Sequence, residues 1–262
     1  AAAVALRRRL AEVRIGPDDQ LFFAAYPDIL HWVILVTDDS PDTLVVLPVL
    51  AHLAQCSPRL DVRVAHADEW ESDLATLLGR VRVVWGRSDA ATLALPTDQR
   101  LAAYAQGASD PDLEQTMFQY GRYLLASCSR PGGLPANLQG LWNDSNKPAW
   151  ASDYHSNINV QMNYWGAEPT ALDECHEPLL DFVTACAEPC RIATRKAFGE
   201  NTRGWTARTS QSIFGGNGWQ WNIPASAWYA QHMAWHYAFT QDMEFLRRQG
   251  YPMIKEICQF WE

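Results

Sequence analysis

The sequence predicts a mainly α-helical chain, part of an α/α toroid with long loops, preceded by a small α/β-like segment. From Thr97 onward, helical patterns follow one another, whereas residues 1–90 are rich in Val, Leu and Ala. Nine of the twelve tryptophans come after residue 140. The segments 130–165 and 199–222 read as long, irregular and rich in Gly and Trp. Loops of this length in a compact domain are usually functional, so we expect the site there.

The N-terminal segment, residues 1–79, reads as a strand–helix–strand unit. "HWVILVTDD" (31–39) is an apolar run typical of a buried strand, 42–58 has a helical pattern, and 60–68 alternates like a strand. This arrangement loosely resembles thioredoxin-like proteins. The turn "TDDSPDT" holds no cysteine, so redox chemistry does not follow, and a scaffold segment is the favoured interpretation.

Six helices are predicted further along the chain. Residues 68–86 predict a helix that runs into a short strand ending at Gly86, and 88–100 contains a linker. A helix with a capping Thr or Asp follows at 97–107, and another at 110–129 has Asp110 as N-cap and Pro111 in its first turn. Helices are also predicted at 172–197, 224–240 and from Asp242 to 262. We therefore expect an N-terminal segment 1–79, a linker 80–109 and a helical domain 110–262.

Composition excludes several classes of protein. The net charge of −9 argues against nucleic acid as a partner, because phosphate binding needs clustered Lys and Arg. No apolar run approaches the length of about 20 residues that spans a bilayer. Six cysteines are too few for a disulfide scaffold and are expected mostly as buried thiols. No cofactor or metal is predicted. The location is periplasmic or extracellular if the parent gene carries a signal, and otherwise cytoplasmic.

The stretch "SDYHSNINVQMNYW" (152–165) combines uncharged hydrogen-bonding groups with aromatic rings. If it is extended, His155, Asn157, Asn159 and Gln161 share one face and the opposite row packs. Neutral amides and an imidazole beside aromatic rings suit sugar hydroxyls and the apolar faces of a sugar. A buried amide ladder with a structural role is the alternative.

A second polar and aromatic loop is "SRPGGLPANLQGLWND" (129–144). It offers Asn137 and Gln139 beside Trp142, with Trp150 shortly after. The alternative is a rigid loop whose amides satisfy its own backbone. Four later tryptophans, Trp219, Trp221, Trp228 and Trp235, line a sugar site or pack between helices.

These residues carry a family resemblance. "GRYLLASCSRPGGLPANLQGLWND", "DYHSNINVQMNYWGAE", "LPTDQRLAAYAQG" and "AWYAQHMAWHYAFTQD" together resemble glycoside hydrolase family 95, the inverting α-L-fucosidases, some of which act on α-L-galactosides. The resemblance runs from about residue 80 or 95 to Glu262. It implies an (α/α)6 catalytic barrel and a fucosylated oligosaccharide or glycan as substrate. In this family a β-sandwich precedes the barrel, and residues 1–70 do not look like one.

The resemblance also implies site residues. Asn157 and Asn159 match the two asparagines that hold the attacking water, supported by a distant Asp, while a distant Glu protonates the leaving oxygen. We expect both carboxylates beyond Glu262, so this chain holds the water-positioning part of the site. The residues expected to bind sugar are His155, Asn137, Gln139, Trp142, Trp150, Tyr164, Trp165 and Trp221.

Three alternatives stay open. One is a catalytically incomplete carbohydrate-binding or pseudo-enzyme chain. A second is a thioredoxin-like scaffold protein fused to a hydrolase remnant. His232 and His236, one helical turn apart, suggest a metal pair, but the sequence offers no evident third ligand, so core histidines are favoured.

Overall fold

The computed structural model describes residues 30–36 and 60–262, with side chains from residue 73 onward, in two compact units that divide after Thr76. In the first unit, β1 (Leu30–Val36) pairs in parallel with β2 (Leu60–His66), from Leu30↔Leu60 to Val36↔His66. Both predicted strands are therefore confirmed. The helix predicted at 42–58 lies outside the described residues.

Helix α1 (Ala67–Gly79) follows β2, but the short strand predicted before Gly86 is wrong. Residues 80–86 have no strand partner because side chains of a later helix bond to their backbone. Trp85 N donates to Gln115 Oε1 at 2.7 Å, and Gln119 Nε2 donates to the carbonyl of Val81 at 2.6 Å.

The second unit, Leu77–Glu262, is mainly helical. Its helices are α2 (Ala90–Leu93), α3 (Thr97–Ala105), α4 (Pro111–Cys128), α5 (Asn159–Tyr164), α6 (Glu177–Phe198), α7 (Ala225–Thr240), α8 (Met243–Phe245) and α9 (Tyr251–Trp261), the last two joined by a π-helical turn at Leu246–Gly250. Short 3-10 turns lie at Ala149–Ser152, Glu168–Thr170 and Asp173–Cys175.

The predicted helix starts are confirmed in part. Asp110 caps α4, accepting a hydrogen bond from Leu113 N at 3.1 Å, and Asp242 caps α8 through Glu244 N at 2.8 Å. The cap predicted for α3 is wrong, since Pro96 holds the cap position and makes no side-chain bond. The helix predicted from residue 172 begins at Glu177, after the turn at Asp173–Cys175, with Pro178 in its first turn.

The segment 199–222 is more regular than predicted, because it contains a hairpin. β4 (Ala207–Gln211) pairs with β5 (Asn217–Asn222), and β3 (Tyr154–His155) adds to the other edge of β4, all antiparallel. This small sheet ties the two predicted loop regions together and carries half of the residues that line the candidate site.

The core of the second unit forms where α6 and α7 meet these elements. Leu179, Leu180 and Val183 of α6, with Tyr229 and Met233 of α7, are almost wholly buried. Burial of such side chains stabilises each by about 1.5–3 kcal/mol.

Cys128, Cys175, Cys186 and Cys190 are buried free thiols, as predicted for most of the cysteines, and Cys258 is exposed. Among the helices of the described part, none is both long and apolar enough to cross a bilayer.

Candidate functional site

A cleft of about 690 Å³ lies where β3 meets the β4–β5 hairpin. Residues from three parts of the chain line it: Leu138, Trp150, His155, Asn157, Asn159, Thr209, Trp219 and Gln220. The structure thus brings together His155, Asn157, Asn159 and Trp150 of the predicted site residues.

The extended form predicted for 152–165 is wrong. The chain is a strand only at Tyr154–His155 and becomes helix α5 at Asn159, where Met162 N bonds to the carbonyl of Ile158 at 2.9 Å. Local i→i+4 bonding replaces the ladder that an extended segment would need. His155, Asn157 and Asn159 still line one cleft, because the chain turns between the strand and the helix.

Ser156 fixes that turn. Its N–H donates to the carbonyl of Thr209 at 2.8 Å, and its Oγ donates to that of Arg208 at 2.9 Å. Its own carbonyl accepts from the side-chain amide of Asn222 at 2.9 Å and from that of Gln161. One buried residue between His155 and Asn157 is therefore held on both sides.

The amides of this stretch divide into two groups. The side chains of Asn157 and Asn159 are exposed in the cleft and bond to no other described residue. Gln161 is buried on Ser156, and Asn163 donates to the carbonyl of Asn137 at 3.1 Å. Gln161 and Asn163 therefore have structural roles within the fold, whereas Asn157 and Asn159 remain available to a ligand.

A β-bulge builds the opposite wall. Arg208 faces Trp221 and Ser210 faces Gly218, so Thr209 on β4 stands opposite two residues of β5, Trp219 and Gln220. All three line the cleft. Trp219 has a positive φ of 64°, which breaks the alternation of the strand. Bulges next to sites often re-aim side chains in this way.

The same bulge explains why Trp221 is not in the cleft. Its ring packs on Phe198 with 5.1 Å between centroids and lies 4.8 Å from Cζ of Arg208, in a cation–π contact. Sequence reasoning preferred Trp221, and only the irregular pairing of β4 with β5 selects Trp219. Thr209 and Gln220 were missed for the same reason.

The other predicted sugar contacts lie elsewhere. Tyr164 is fully buried: its hydroxyl bonds to Ser129 Oγ at 2.6 Å and accepts from Ala136 N at 2.6 Å, and burial raises its pKa far above the usual range. Trp165 packs against Trp235 and Trp228, with centroids 5.3 and 6.2 Å apart. Tyr164 thus ties the end of α5 to the loop after α4, and Trp165 packs on α7.

Asn137, Gln139 and Trp142 line a second, smaller cavity of about 360 Å³ beside α4. Asn137 Oδ1 accepts from Gln139 N at 2.8 Å and from Ser152 Oγ at 3.0 Å. These bonds agree with the rigid-loop alternative for this amide. Leu138 lines both cavities and so stands between them.

A buried polar cluster of Glu168, His176, His232 and His236 lies beneath α5. Glu168 Oε1 accepts from Nδ1 of His176 at 2.7 Å and from Nδ1 of His236 at 2.6 Å, and His176 Nε2 bonds to His232 Nδ1 at 2.8 Å. Burial alone would raise the pKa of Glu168, but the two histidine bonds outweigh it and lower this pKa to about 2. Burial lowers the pKa of His176 and that of His232, the latter to about 3.

Glu168 and His176 supply the further ligands that the sequence did not reveal beside His236, with potential ligand atoms within 4.8 Å of one another. The hydrogen bonds among Glu168 and the three histidines nevertheless form one continuous network. With Glu168 ionised, each histidine donates from Nδ1, and His176 accepts through Nε2. The ring of Tyr164 stacks on His176, with centroids 5.6 Å apart. The cluster thus supports the end of α5, the helix that begins at Asn159.

Comparison with known proteins agrees with this arrangement. Residues 63–262 match the model of the glycosyl hydrolase family 95 catalytic domain. The chain is 41% identical over 172 residues to "Probable alpha-fucosidase A" of Aspergillus niger, covering 63% of this chain and 22% of that protein. It is also 41% identical over 158 residues to "Alpha-L-fucosidase 2" of Arabidopsis thaliana, covering 58% of this chain and 18% of that protein.

The matched part thus spans about a fifth of the length of these curated relatives. The family match, by contrast, takes in well over half of the 262 residues. The chain therefore belongs to glycosyl hydrolase family 95, and its residues 63–262 correspond to that family's catalytic domain.

Proposed function

We propose that the protein containing this chain hydrolyses terminal α-L-fucosides with inversion, and that Asn157 and Asn159 hold the attacking water. The observation that carries the proposal is the pair of unpaired amides, exposed in a cleft beside Trp150 and Trp219. An amide oxygen accepts a hydrogen bond from water and so aims its lone pair. Two such amides, one in the turn anchored through Ser156 and the other at the start of α5, fix the water in two directions.

The aromatic rings complete the binding surface. Trp150 and Trp219 are each more than half exposed and offer apolar faces to a deoxy sugar, whose methyl group has no hydrogen bond to make. His155 lines the same cleft and serves as a hydrogen-bonding group for a sugar hydroxyl. The natural ligand is a fucosylated oligosaccharide or glycan.

An amide cannot keep the proton that the water loses, so a carboxylate must take it, and a second must protonate the leaving oxygen. Among the described residues that line the cleft, none is Asp or Glu. We infer that both carboxylates come from another part of the same protein. In that protein, α4, α6, α7 and α9 form part of an (α/α)6 toroid, after an N-terminal segment 1–79 and a linker 80–109.

The test is hydrolysis of a 2′-fucosyl oligosaccharide by the full-length protein and by its Asn157→Ala, Asn159→Ala variant. We expect kcat to fall by about 100-fold or more, as for loss of general-base assistance, with a smaller change in KM. Asn201→Ala, in an exposed turn after α6, is the matched control and should leave turnover unchanged.

Proton NMR during the first turnovers reports the stereochemistry. Inversion of an α-L-fucoside releases β-L-fucose first. Unchanged turnover in the double variant would contradict the role of the two amides. Release of α-L-fucose as the first product would contradict inversion.

The carboxylate-free lining of the cleft also favours a second candidate, a carbohydrate-binding chain without hydrolysis. Titration of the 262-residue chain with L-fucose and assay of the full-length protein separate the two. Binding with no turnover by the full-length protein would favour the second candidate.

A further inference from the structure

The buried cluster of Glu168, His176, His232 and His236 contains a set of metal ligands. Nδ1 of His176, Nδ1 of His236 and a carboxylate oxygen of Glu168 lie within 4.8 Å of one another. These three side chains come from the 3-10 turn at Glu168–Thr170, from the residue before α6 and from α7. Two imidazole nitrogens with one glutamate are a ligand set that Zn²⁺ takes in proteins.

One oxygen of Glu168 is not used by the hydrogen-bond network. Oε1 accepts from His176 at 2.7 Å and from His236 at 2.6 Å, whereas the buried Oε2 has no hydrogen-bond partner among the described residues. The side chain of Glu168 is only 2% exposed, and a buried polar atom without a partner is unfavourable. A cation bound by both oxygens would satisfy Oε2. It would also have four ligand atoms, the usual number for zinc.

The distances within the cluster are close to those of a zinc site. Zinc lies about 2.0–2.2 Å from nitrogen and oxygen ligands, so ligand atoms at the corners of a tetrahedron are about 3.3 Å apart. Oε1 of Glu168 is 2.7 Å from one histidine nitrogen and 2.6 Å from the other. Side-chain movements of about half an ångström would therefore make room for the ion.

The other nitrogen of each ligand histidine can carry the hydrogen that the ion displaces. A nitrogen that binds a metal has no hydrogen, so His176 and His236 would each be protonated on Nε2. Nε2 of His176 lies 2.8 Å from Nδ1 of His232, which can accept this hydrogen. Metal-binding histidines usually have such a partner, because it fixes the orientation of the ring.

A further cleft, of about 640 Å³, gives a cation a route to the cluster. It lies where α6 and α7 meet α8 and the π-helical turn, and His236 is the one member of the cluster that lines it. Its charged lining is mostly acidic: Glu177, Asp181, Asp242, Glu244 and Arg248. A cleft with an excess of negative charge raises the local concentration of cations. His236 thus links the buried Glu168 to a surface that attracts them.

We propose that Glu168, His176 and His236 bind one zinc ion, with His232 as the hydrogen-bond acceptor behind His176. The ion joins the turn at Glu168–Thr170, the start of α6 and α7, and so has a structural role. The hydrogen-bonded network among these residues is the metal-free state. None of the four residues lines the cleft of Asn157 and Asn159, so the site is independent of fucoside hydrolysis.

Metal analysis of the untagged 262-residue chain tests the site directly. The chain carries Cys258→Ser, which removes an exposed thiol that could also bind zinc. It is stripped with a chelator, equilibrated with ZnCl2 and separated from free zinc by gel filtration. We expect one zinc ion per chain, and almost none in Glu168→Gln or His236→Gln. His155→Gln removes a buried histidine outside the cluster and, as the matched control, should keep the ion.

Two measurements on the unsubstituted cluster do not depend on whether a ligand variant folds. Zinc at 100 times its Kd should raise the Tm by about 5–10 °C, because it binds the folded chain. Long-range ¹H–¹⁵N correlation NMR should show the hydrogen of His176 and that of His236 move from Nδ1 to Nε2 when zinc is added.

The role of His232 has its own pair of variants. His232→Leu removes the acceptor behind His176 and should weaken zinc binding by about 10–100-fold. His232→Asn offers an amide oxygen to the same Nε2–H and should restore most of the affinity. Equal affinities in the two variants would show that His232 does not position His176.

The site itself is contradicted by any of three results. These are a wild-type cluster that takes up no zinc, zinc uptake that persists in both Glu168→Gln and His236→Gln, and NMR signals of His176 and His236 that do not respond to zinc. None of these results bears on the role of Asn157 and Asn159, which is measured by turnover.

Discussion

At the scale of single residues, close backbone contact decides which positions tolerate a side chain. Gly204 precedes the hairpin with a φ of +63°, and a Cβ built there would lie 2.3 Å from the carbonyl oxygen of Glu256 and 2.6 Å from the N of Phe260. Both atoms are backbone of α9, which cannot move aside as a flexible side chain could. The path into the hairpin therefore requires glycine.

Gly204→Ala should accordingly lower the free energy of unfolding by about 2–4 kcal/mol, from overpacking together with the left-handed φ. The matched control is Gly121→Ala in α4, where a Cβ meets nothing within 4 Å. That change should stabilise by about 0.5–1 kcal/mol, since alanine favours a helix over glycine. Urea unfolding measures the change in the free energy of unfolding for each variant. Equal changes would show that the backbone of α9 does not exclude a side chain at Gly204.

Much of the site at residue scale was readable from sequence. His155, Asn157 and Asn159 were predicted as a group, and the structure brings them into one cleft. The reasoning behind their grouping was wrong, because a turn and a helix place them there and not a strand. Asp153 was visible in the same stretch, but its hydrogen bond with Ser210 joins residues 57 positions apart. Such a pairing has no local signal.

At the scale of elements, a buried arginine closes the end of α1. Arg122 of α4 is 4% exposed, and its guanidinium donates to the carbonyls of Leu77 and Leu78 at 2.7 Å and of Thr170 at 3.1 Å. The last carbonyls of a helix have no partner within it, so these bonds satisfy groups that would otherwise be buried without one. Arg122 thus links the end of α1, its own helix α4 and the 3-10 turn at Glu168–Thr170.

Arg122→Lys should therefore destabilise the chain by about 2–3 kcal/mol, although the charge is kept. A lysine has one compact ammonium group and cannot match the planar fork that reaches three carbonyls. Arg203→Lys, in an exposed ion pair with Glu262, is the matched substitution and should change stability by less than about 0.5 kcal/mol. Thermal unfolding compares the two, and similar losses would show that the fork geometry is unimportant.

Elements with strong local signals were the ones predicted well. Helix α4 has Asp110 and Pro111 at its start, and the segment after Asp242 begins with a capping aspartate and leads into the amphipathic helix α9. The hairpin of β4 and β5 was missed, because β5 is rich in Gly, Asn and Trp and its pairing with β4 contains a bulge. The segment after α1 was misread because Gln115 and Gln119, 30 or more residues away, supply the bonds that a strand partner would have made.

At the scale of the whole molecule, the buried cluster of Glu168 and three histidines makes the fold sensitive to acid. The unfolded chain takes up a proton on His232 below about pH 6.5, whereas the folded chain, in which burial lowers the pKa of His232 to about 3, does not. Stability therefore falls as the pH drops from 6.5 towards 3. Glu168 adds to the loss between pH 4.5 and 2, because its folded pKa is also lowered.

Replacing His232 with Asn should flatten this dependence. The asparagine amide can still donate to His176 Nε2 but does not titrate, so one proton is removed from the linkage. We expect the slope of unfolding free energy against pH, between pH 6 and 4, to fall by about 1.4 kcal/mol per pH unit. Urea unfolding at several pH values measures it. Unchanged slopes would mean that His232 is not the group that titrates.

The backbone at the rim of the cleft is left-handed at several residues. Trp150, Ala151 and Ser152 have φ values of 50°, 57° and 51°, a run of three left-handed residues, and Trp219 on the facing wall has 64°. Each such residue costs about 1–3 kcal/mol and is tolerated only where the surroundings fix it, here through Ser152 and Asn137. Leu138, Thr209 and Gln220 line the same cleft without positive φ. A library built to vary the cleft should therefore randomise those three positions and keep both tryptophans, because most side chains placed at Trp150 or Trp219 would have to adopt the same strained left-handed φ.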